Sequence, residues 1–191
     1  MSNRQHSHDH QCGCTHESLV HGHDCQCHHH HDFDNLDHHH GIEVMFEGEY
    51  NTKSKRVWDT IVSSNTWIPG IIFEDPKAGG TLSKHISELE VDKFMILDYE
   101  DHNLLSFNWV DQSIVTVNLY PEDKDSTRVK LTVWLPEVTD NSLDDLVDWV
   151  INLKRLNAVI SETDLQVNEK EIVEIKEQVE DMLITMSSSD I

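Results

Sequence analysis

Residues 126–160 read STRVKLTVWLPEVTDNSLDDLVDWVINLKRLNAVI, and this stretch decides the fold. Val129, Leu131 and Val133 alternate with Lys130, Thr132 and Trp134, the period of a strand with one buried face. Pro136 ends that strand because it has no N–H for a ladder. Ser142 is then placed to cap a long helix running to about Ile160. The apolar set of that helix is Leu143, Leu146, Val147, Trp149, Val150, Ile151, Leu153, Leu156 and Ile160. So wide a stripe predicts a helix laid across a sheet and buried on one side.

Upstream, strand signals follow one another at short intervals. Ile71 to Phe73, Thr81 to Ile86, Phe94 to Tyr99, Leu104 to Val110 and Ser113 to Tyr120 are separated by polar breaks. Those breaks are Asp75-Pro76 with Gly79-Gly80, then Glu100 to Asn103, then a hairpin loop over Pro121 to Asp125. Sequential strands with short turns predict an antiparallel meander. Before them, Ile42, Val44 and Phe46 alternate with Glu43 and Glu47, which reads as a first strand. A helix follows, with Ser54 as its N-cap and Val57, Trp58, Ile61 and Val62 on one face. Glu43, Glu47 and Glu49 form the wet face of the first strand. The five tryptophans, Trp58, Trp67, Trp109, Trp134 and Trp149, are expected in or near the core. Trp109 and Trp149, on the sheet and the final helix, are the candidates for lining a ligand cavity.

The order is strand, helix, a run of strands and a long helix, so the fold class is α+β. It resembles the START-like (SRPBCC) superfamily with its helix-grip fold. Within it, the chain is similar to bacterial relatives of the C-terminal domain of the activator of the heat-shock protein 90 ATPase. The resemblance rests on Lys55-Arg56-Val57-Trp58-Asp59-Thr60-Ile61 followed by Trp67, on Leu104-Leu105-Ser106-Phe107-Asn108-Trp109, and on Ser126-Thr127-Arg128-Val129-Lys130-Leu131-Thr132 with the long helix after it. It spans residues 42–160. It implies a curved antiparallel sheet wrapped around a long C-terminal helix, with a cavity between them that often holds an apolar ligand. Two features depart from the pattern: the short segment after the first helix, and a His/Cys-rich N-terminus.

Residues 161–191 form a C-terminal helical extension. Asn168 can cap a helix with Glu171 three residues on. Leu165, Ile172, Ile175, Val179, Met182 and Met186 follow a three-four spacing. A helix folded back on its own domain is the favoured reading, and a weak dimer through 165–186 is the alternative.

Residues 1–41 are of a different kind. Thirteen of the fifteen histidines and all four cysteines lie there, while apolar residues are scattered without period. Such a segment cannot bury enough surface to offset its ordering entropy, which predicts a disordered tail. Cys12-Gly13-Cys14 and Cys25-Gln26-Cys27 are two Cys-x-Cys pairs. His8, His10 and His16 flank the first; His21, His23, His28 and His29 flank the second; His30, His31, His38, His39 and His40 extend two imidazole runs. In an extended Cys-x-Cys both thiols fall on one side of the chain. Thiolate and imidazole together suit zinc, copper or nickel. The spacing is not that of a zinc finger, and the histidine runs are broken by Asp, Gly, Gln and Cys, unlike an affinity tag. A buffering tail that binds a transition metal ion is the expectation, and no organic cofactor is identifiable.

The formal charge of -22 repels phosphate backbones and anionic membrane surfaces, so neither nucleic acid nor a membrane is expected as partner. The start is polar, no stretch reaches the length of a membrane span, and clustered thiols read as ligands, all of which point to the cytoplasm. The domain carries no cysteine, and its histidines are His85 in a strand and His102 in a turn. Both read as surface groups. No set of acid, base and nucleophile stands out, so no catalytic residue is assigned and a non-enzymatic role is expected. The leading function is then a START-like domain binding an apolar small molecule or a chaperone-type protein partner, with a metal-binding tail. The alternative is metal buffering or delivery, with the tail as the main element.

Overall fold

In the computed structural model of the protein, residues 41–139 and 141–187 are described. The expectation of disorder for the N-terminal tail concerns residues 1–40, which fall outside them.

Seven strands form one sheet: β1 (Ile42–Tyr50), β2 (Ile71–Phe73), β3 (Thr81–His85), β4 (Val91–Glu100), β5 (Leu104–Asn108), β6 (Ile114–Asp123) and β7 (Ser126–Leu135). Their order is β1-β7-β6-β5-β4-β3-β2, and every neighbouring pair is antiparallel. Three helices complete the fold: α1 (Ser54–Ile61), α2 (Ser142–Ser161) and α3 (Glu169–Ser187). No helix among the described residues is long and apolar enough to cross a membrane.

The alternation along β7 sets the core. Val129, Leu131, Val133 and Leu135 are buried. Their cross-strand neighbours are Leu119, Val117 and Val115 on β6, and Gly48, Phe46, Val44 and Ile42 on β1. With period two, Val133 inward forces Trp134 outward. The expectation of a core Trp134 is therefore corrected: it is half-buried on the outer face, between Glu43 and Ile114. Gly41 lies against its indole, where an added Cβ would come within 2.3 Å of Nε1.

Three boundaries differ from the sequence reading. β6 and β7 extend to Asp123 and Ser126, which shrinks the expected loop to Lys124-Asp125. Pro121 is tolerated because β5 pairs β6 only over Ile114 to Asn118, leaving Pro121 an open side. Ser54 is the first helical residue of α1; the N-cap is Lys53, in extended backbone and without a side-chain cap bond. Ser142 likewise opens α2 behind Asn141. Its hydroxyl accepts a 2.9 Å bond from the Thr139 amide and so fixes the entry of the chain.

α2 lies against the inner face, with Leu146, Val147, Trp149, Leu153, Leu156 and Ile160 buried. Polar ties hold it at three levels. Tyr50 Oη donates to Leu153 O at 3.2 Å. Arg155 Nη1 donates to Trp67 O at 3.2 Å. Arg56 Nη2 donates to Ile160 O at 3.0 Å, near the end of the helix. α3 begins with the expected cap, Glu171 N donating to Asn168 Oδ1 at 3.0 Å. It folds back on α2 and reaches β1, burying Ile175, Val179 and Leu183 in the same core. Ile172, included in the sequence spacing, is exposed, whereas Leu183, outside that spacing, is buried. Lys154–Glu171 and Lys176–Asp144, each at 2.7 Å, bridge the two helices.

Candidate functional site

The space between the sheet and α2 holds an aromatic cluster. Trp109 and Phe94 stack at 4.5 Å, Trp109 meets Trp149 edge-on at 5.2 Å, and Trp149 lies 6.1 Å from Trp67. Phe107 joins both Trp109 and Trp149. At the mouth of this cluster is a cleft of about 250 Å³. Its walls are Ile68 and Pro69, Lys84 of β3, Trp109, and Asp145, Asp148, Trp149, Ile151, Asn152 and Arg155 of α2. Both tryptophans named from the sequence thus come together and line one opening.

Each wall has a local cause. Leu82 is buried, so Lys84 shares its face and points inward, while His85 is exposed at the strand end. The Lys84 ammonium lies 4.9 Å from the centroid of the Trp109 ring, within cation–π range. Trp109 is held by a tight loop: its amide donates to Ser113 O at 2.8 Å, and Ser113 N returns to Val110 O at 3.0 Å. Closing that loop puts Asp111 and Gln112 successively in the left-handed region, at φ 52° and 62°. Two such non-glycine residues in a row are strained, and strain of this kind gathers at binding sites. On α2, Asp145, Asp148, Asn152 and Arg155 recur at intervals of three, four and three, so one helix face meets the cleft.

The electrostatics are mixed. The Asp145 carboxyl is raised above its ordinary pKa, first by burial, against the pull of Lys84 and with help from Asp148, Asp111 and Asp144. Arg155 bonds Asn152 Oδ1 and Trp67 O. Neither Lys84 nor Arg155 forms an ion pair with a carboxylate among the described residues. Such an opening can hold a small molecule with an apolar body against the indoles and an ionic end toward the cations.

Sequence reasoning missed Lys84, Asp145, Asp148 and Arg155. The parity of Lys84 with Leu82, and the helical spacing of the three α2 residues beside Trp149, carried the signal. His102 sits in a turn at φ 63° and pairs with Asp101 at 3.0 Å, away from the cleft lining. Among the described residues, no group of three or more His, Cys, Asp or Glu side chains is arranged to hold a metal ion. The metal-ligand candidates His8, His10, Cys12, Cys14, His16, His21, His23, Cys25, Cys27, His28, His29, His30, His31, His38, His39 and His40 all lie outside those residues.

No protein-family model matches the chain, and no curated protein matches it. Solved structures do. A conserved protein of unknown function from Enterococcus faecalis superposes with a TM-score of 0.69 at 18% identity, over 76% of this chain and 86% of that one. CalU16 from Micromonospora echinospora gives 0.59 at 19% identity, over 76% and 88%. The Aha1 dimer from Colwellia psychrerythraea gives 0.53 at 12% identity, over 62% and 96%. At these identities the likeness concerns fold alone, and the fold it shows is an α+β helix-grip arrangement of one antiparallel sheet with C-terminal helices packed on it.

Proposed function

We propose that the domain is a non-enzymatic binding module. Its cleft takes a small molecule with an apolar ring and one anionic group. The observation that carries this reading is the pair Lys84 and Trp109: the ammonium of a half-buried lysine lies over an indole at the edge of an aromatic cluster. The reading narrows the expected apolar ligand, because Lys84, Asp145, Asp148 and Arg155 share the lining with the tryptophans. A volume of about 250 Å³ is just below the usual range of ligand sites, which limits the occupant to a single ring with a short acidic arm.

Calorimetry with phenylacetate, 2-phenylethylamine and toluene tests the reading. Phenylacetate is expected to bind best, and Lys84→Met to weaken it at least tenfold. Preference for the amine or for toluene, or an unchanged affinity in the variant, would overturn it.

The tail is the second element of the proposal: residues 1–40 capture zinc, copper or nickel through the two Cys-x-Cys pairs and their flanking histidines. Support comes from the donor set, since soft thiolates and imidazoles close together suit these ions. Elemental mass spectrometry of the untagged protein, beside a variant starting at Gly41, is the check. Several ions per full-length chain and none in the variant are expected; equal content in both would end the idea. The reading that makes metal handling the main function adds one demand, that cells lose metal tolerance when residues 1–40 are deleted.

A further inference from the structure

A second recess lies on the other side of the domain. Met45 to Tyr50 of β1 and Val150, Leu153, Lys154 and Asn157 of α2 border a groove of about 470 Å³. β1 is an outermost strand of the sheet. Every second residue of an edge strand turns its N–H and C=O away from its one neighbour, which is a template for another strand. Among the described residues, nothing outside β7 forms a backbone hydrogen bond with Ile42 to Glu49.

The two faces of β1 say what would fit there. On the inner side are Phe46 and Gly48, with Val150 and Leu153 of α2 beside them. An added strand must present apolar side chains to that side. The Tyr50 ring fills the space beside Gly48 and forms part of the inner surface there: a Cβ at 48 would come within 2.9 Å of the hydroxyl. On the outer side stand Glu47 and Glu49, both exposed. Lys130 and Arg128 of β7 face them from within the sheet, with Arg128 Nη1 3.4 Å from Glu47. Their other flank is open to cations, and opposite charges across a strand pair are favourable while like charges are not.

From this we infer that the β1 edge is a docking site for an extended segment of a partner protein in which basic and apolar residues alternate, added as an eighth strand beside β1. A second copy of this chain fits poorly, because pairing two β1 edges would bring rows of glutamates together. The net charge of -22 would draw a basic segment in and make its association rate fall with salt. The surface is separate from the aromatic cleft, so the inference stands apart from the ligand proposed there.

The test uses the full chain and two soluble heptapeptides, one with lysines alternating with valines and one with glutamates in place of the lysines. Binding is read by calorimetry at low and at physiological salt. The lysine peptide is expected to bind at least tenfold tighter than the glutamate peptide. Glu47→Lys with Glu49→Lys should abolish or reverse that preference, and Val150→Asp should weaken binding from the groove side. A control carries the same charge change elsewhere, Glu88→Lys with Glu90→Lys on the exposed β3–β4 hairpin, and should bind as the parent does. Equal loss in both double variants would mean bulk charge alone, and the inference falls. It also falls if neither peptide binds, or if sedimentation shows a dimer that the Glu47/Glu49 reversal dissociates. Folding of each variant is checked by the dispersed indole N–H signals of the buried tryptophans.

Discussion

The phenol of Tyr50 donates a 3.2 Å hydrogen bond to the backbone carbonyl of Leu153, joining positions 103 residues apart. It fastens the outermost strand β1 to the middle of α2. Gly48 makes room for it, since the Tyr50 hydroxyl occupies the space a side chain at 48 would need. Tyr50→Phe should cost about 1 kcal/mol of unfolding free energy, the usual net worth of such a bond. Denaturant titration would show a lower midpoint with an unchanged slope; an unchanged midpoint would mean that packing of the ring does all the holding.

The same residue predicts alkaline sensitivity. Burial raises the Tyr50 pKa, so the folded state holds the phenolic proton more tightly than the unfolded chain. Stability from this group is then complete below the unfolded value of about 10 and is lost as pH rises above it. Thermal melts from pH 9 to 11 should fall more steeply for the parent than for Tyr50→Phe. Parallel curves would contradict the assignment.

Asp145 gives a test of the same sign at acidic pH. Its raised pKa means that folding is disfavoured when it ionises: the folded state binds the proton better, so stability falls as pH rises from the unfolded value of about 3.9 through the raised one. Asp145→Asn removes the charge. Its melting temperature should exceed that of the parent at pH 7, and the gap should close near pH 3, where both side chains are neutral. A variant less stable at pH 7 would indicate that attraction to Lys84 outweighs the burial.

Arg56 reaches from α1 to the end of α2, donating to Ile160 O at 3.0 Å and to Glu162 Oε1 at 2.8 Å. The Glu162 partner is exposed and contributes little, whereas the carbonyl bond replaces one that the helix end lacks. Arg56→Ala should cost about 1 kcal/mol, and Glu162→Ala much less. Equal costs in denaturant titration would show that the ion pair matters more than the cap.

The parity of β7 is tested by two tryptophans. Trp149→Ala in the buried cluster should cost about 3–5 kcal/mol. Trp134→Ala, on the outer face, should cost well under half of that. Similar losses at the two positions would mean that the outer face is covered.

Much of this architecture could be read from residue order. The alternation of Val129, Leu131 and Val133, the break at Pro136 and the wide stripe from Leu143 to Ile160 each state their element with a different period, and each element forms where the period says. Asn168 with Glu171 marked the start of α3 for the same reason, a local cap acting on local backbone. The misses were of two kinds, local signals that compete with one another and contacts between distant elements. Ser54 and Ser142 have the right chemistry for capping, but neither is the cap residue, because Lys53 and Asn141 hold those positions. Trp134 was assigned by hydrophobicity, although the register with Val133 turns it outward. The cleft was half legible: Trp109 and Trp149 were named by their elements. Lys84 is brought to them only by the pairing of β3 with β4 and by the loop that closes over Asp111 and Gln112. No short-range pattern encodes that meeting.

The most direct test of the account is the position of a bound ring. Phenylacetate titrated into uniformly labelled protein should move the indole N–H resonances of Trp109 and Trp149 together, along one saturating curve, and leave that of Trp134 in place. Shifts confined to Trp134, or no shift at saturating concentration, would contradict a binding cleft between β3, the Trp109 loop and α2.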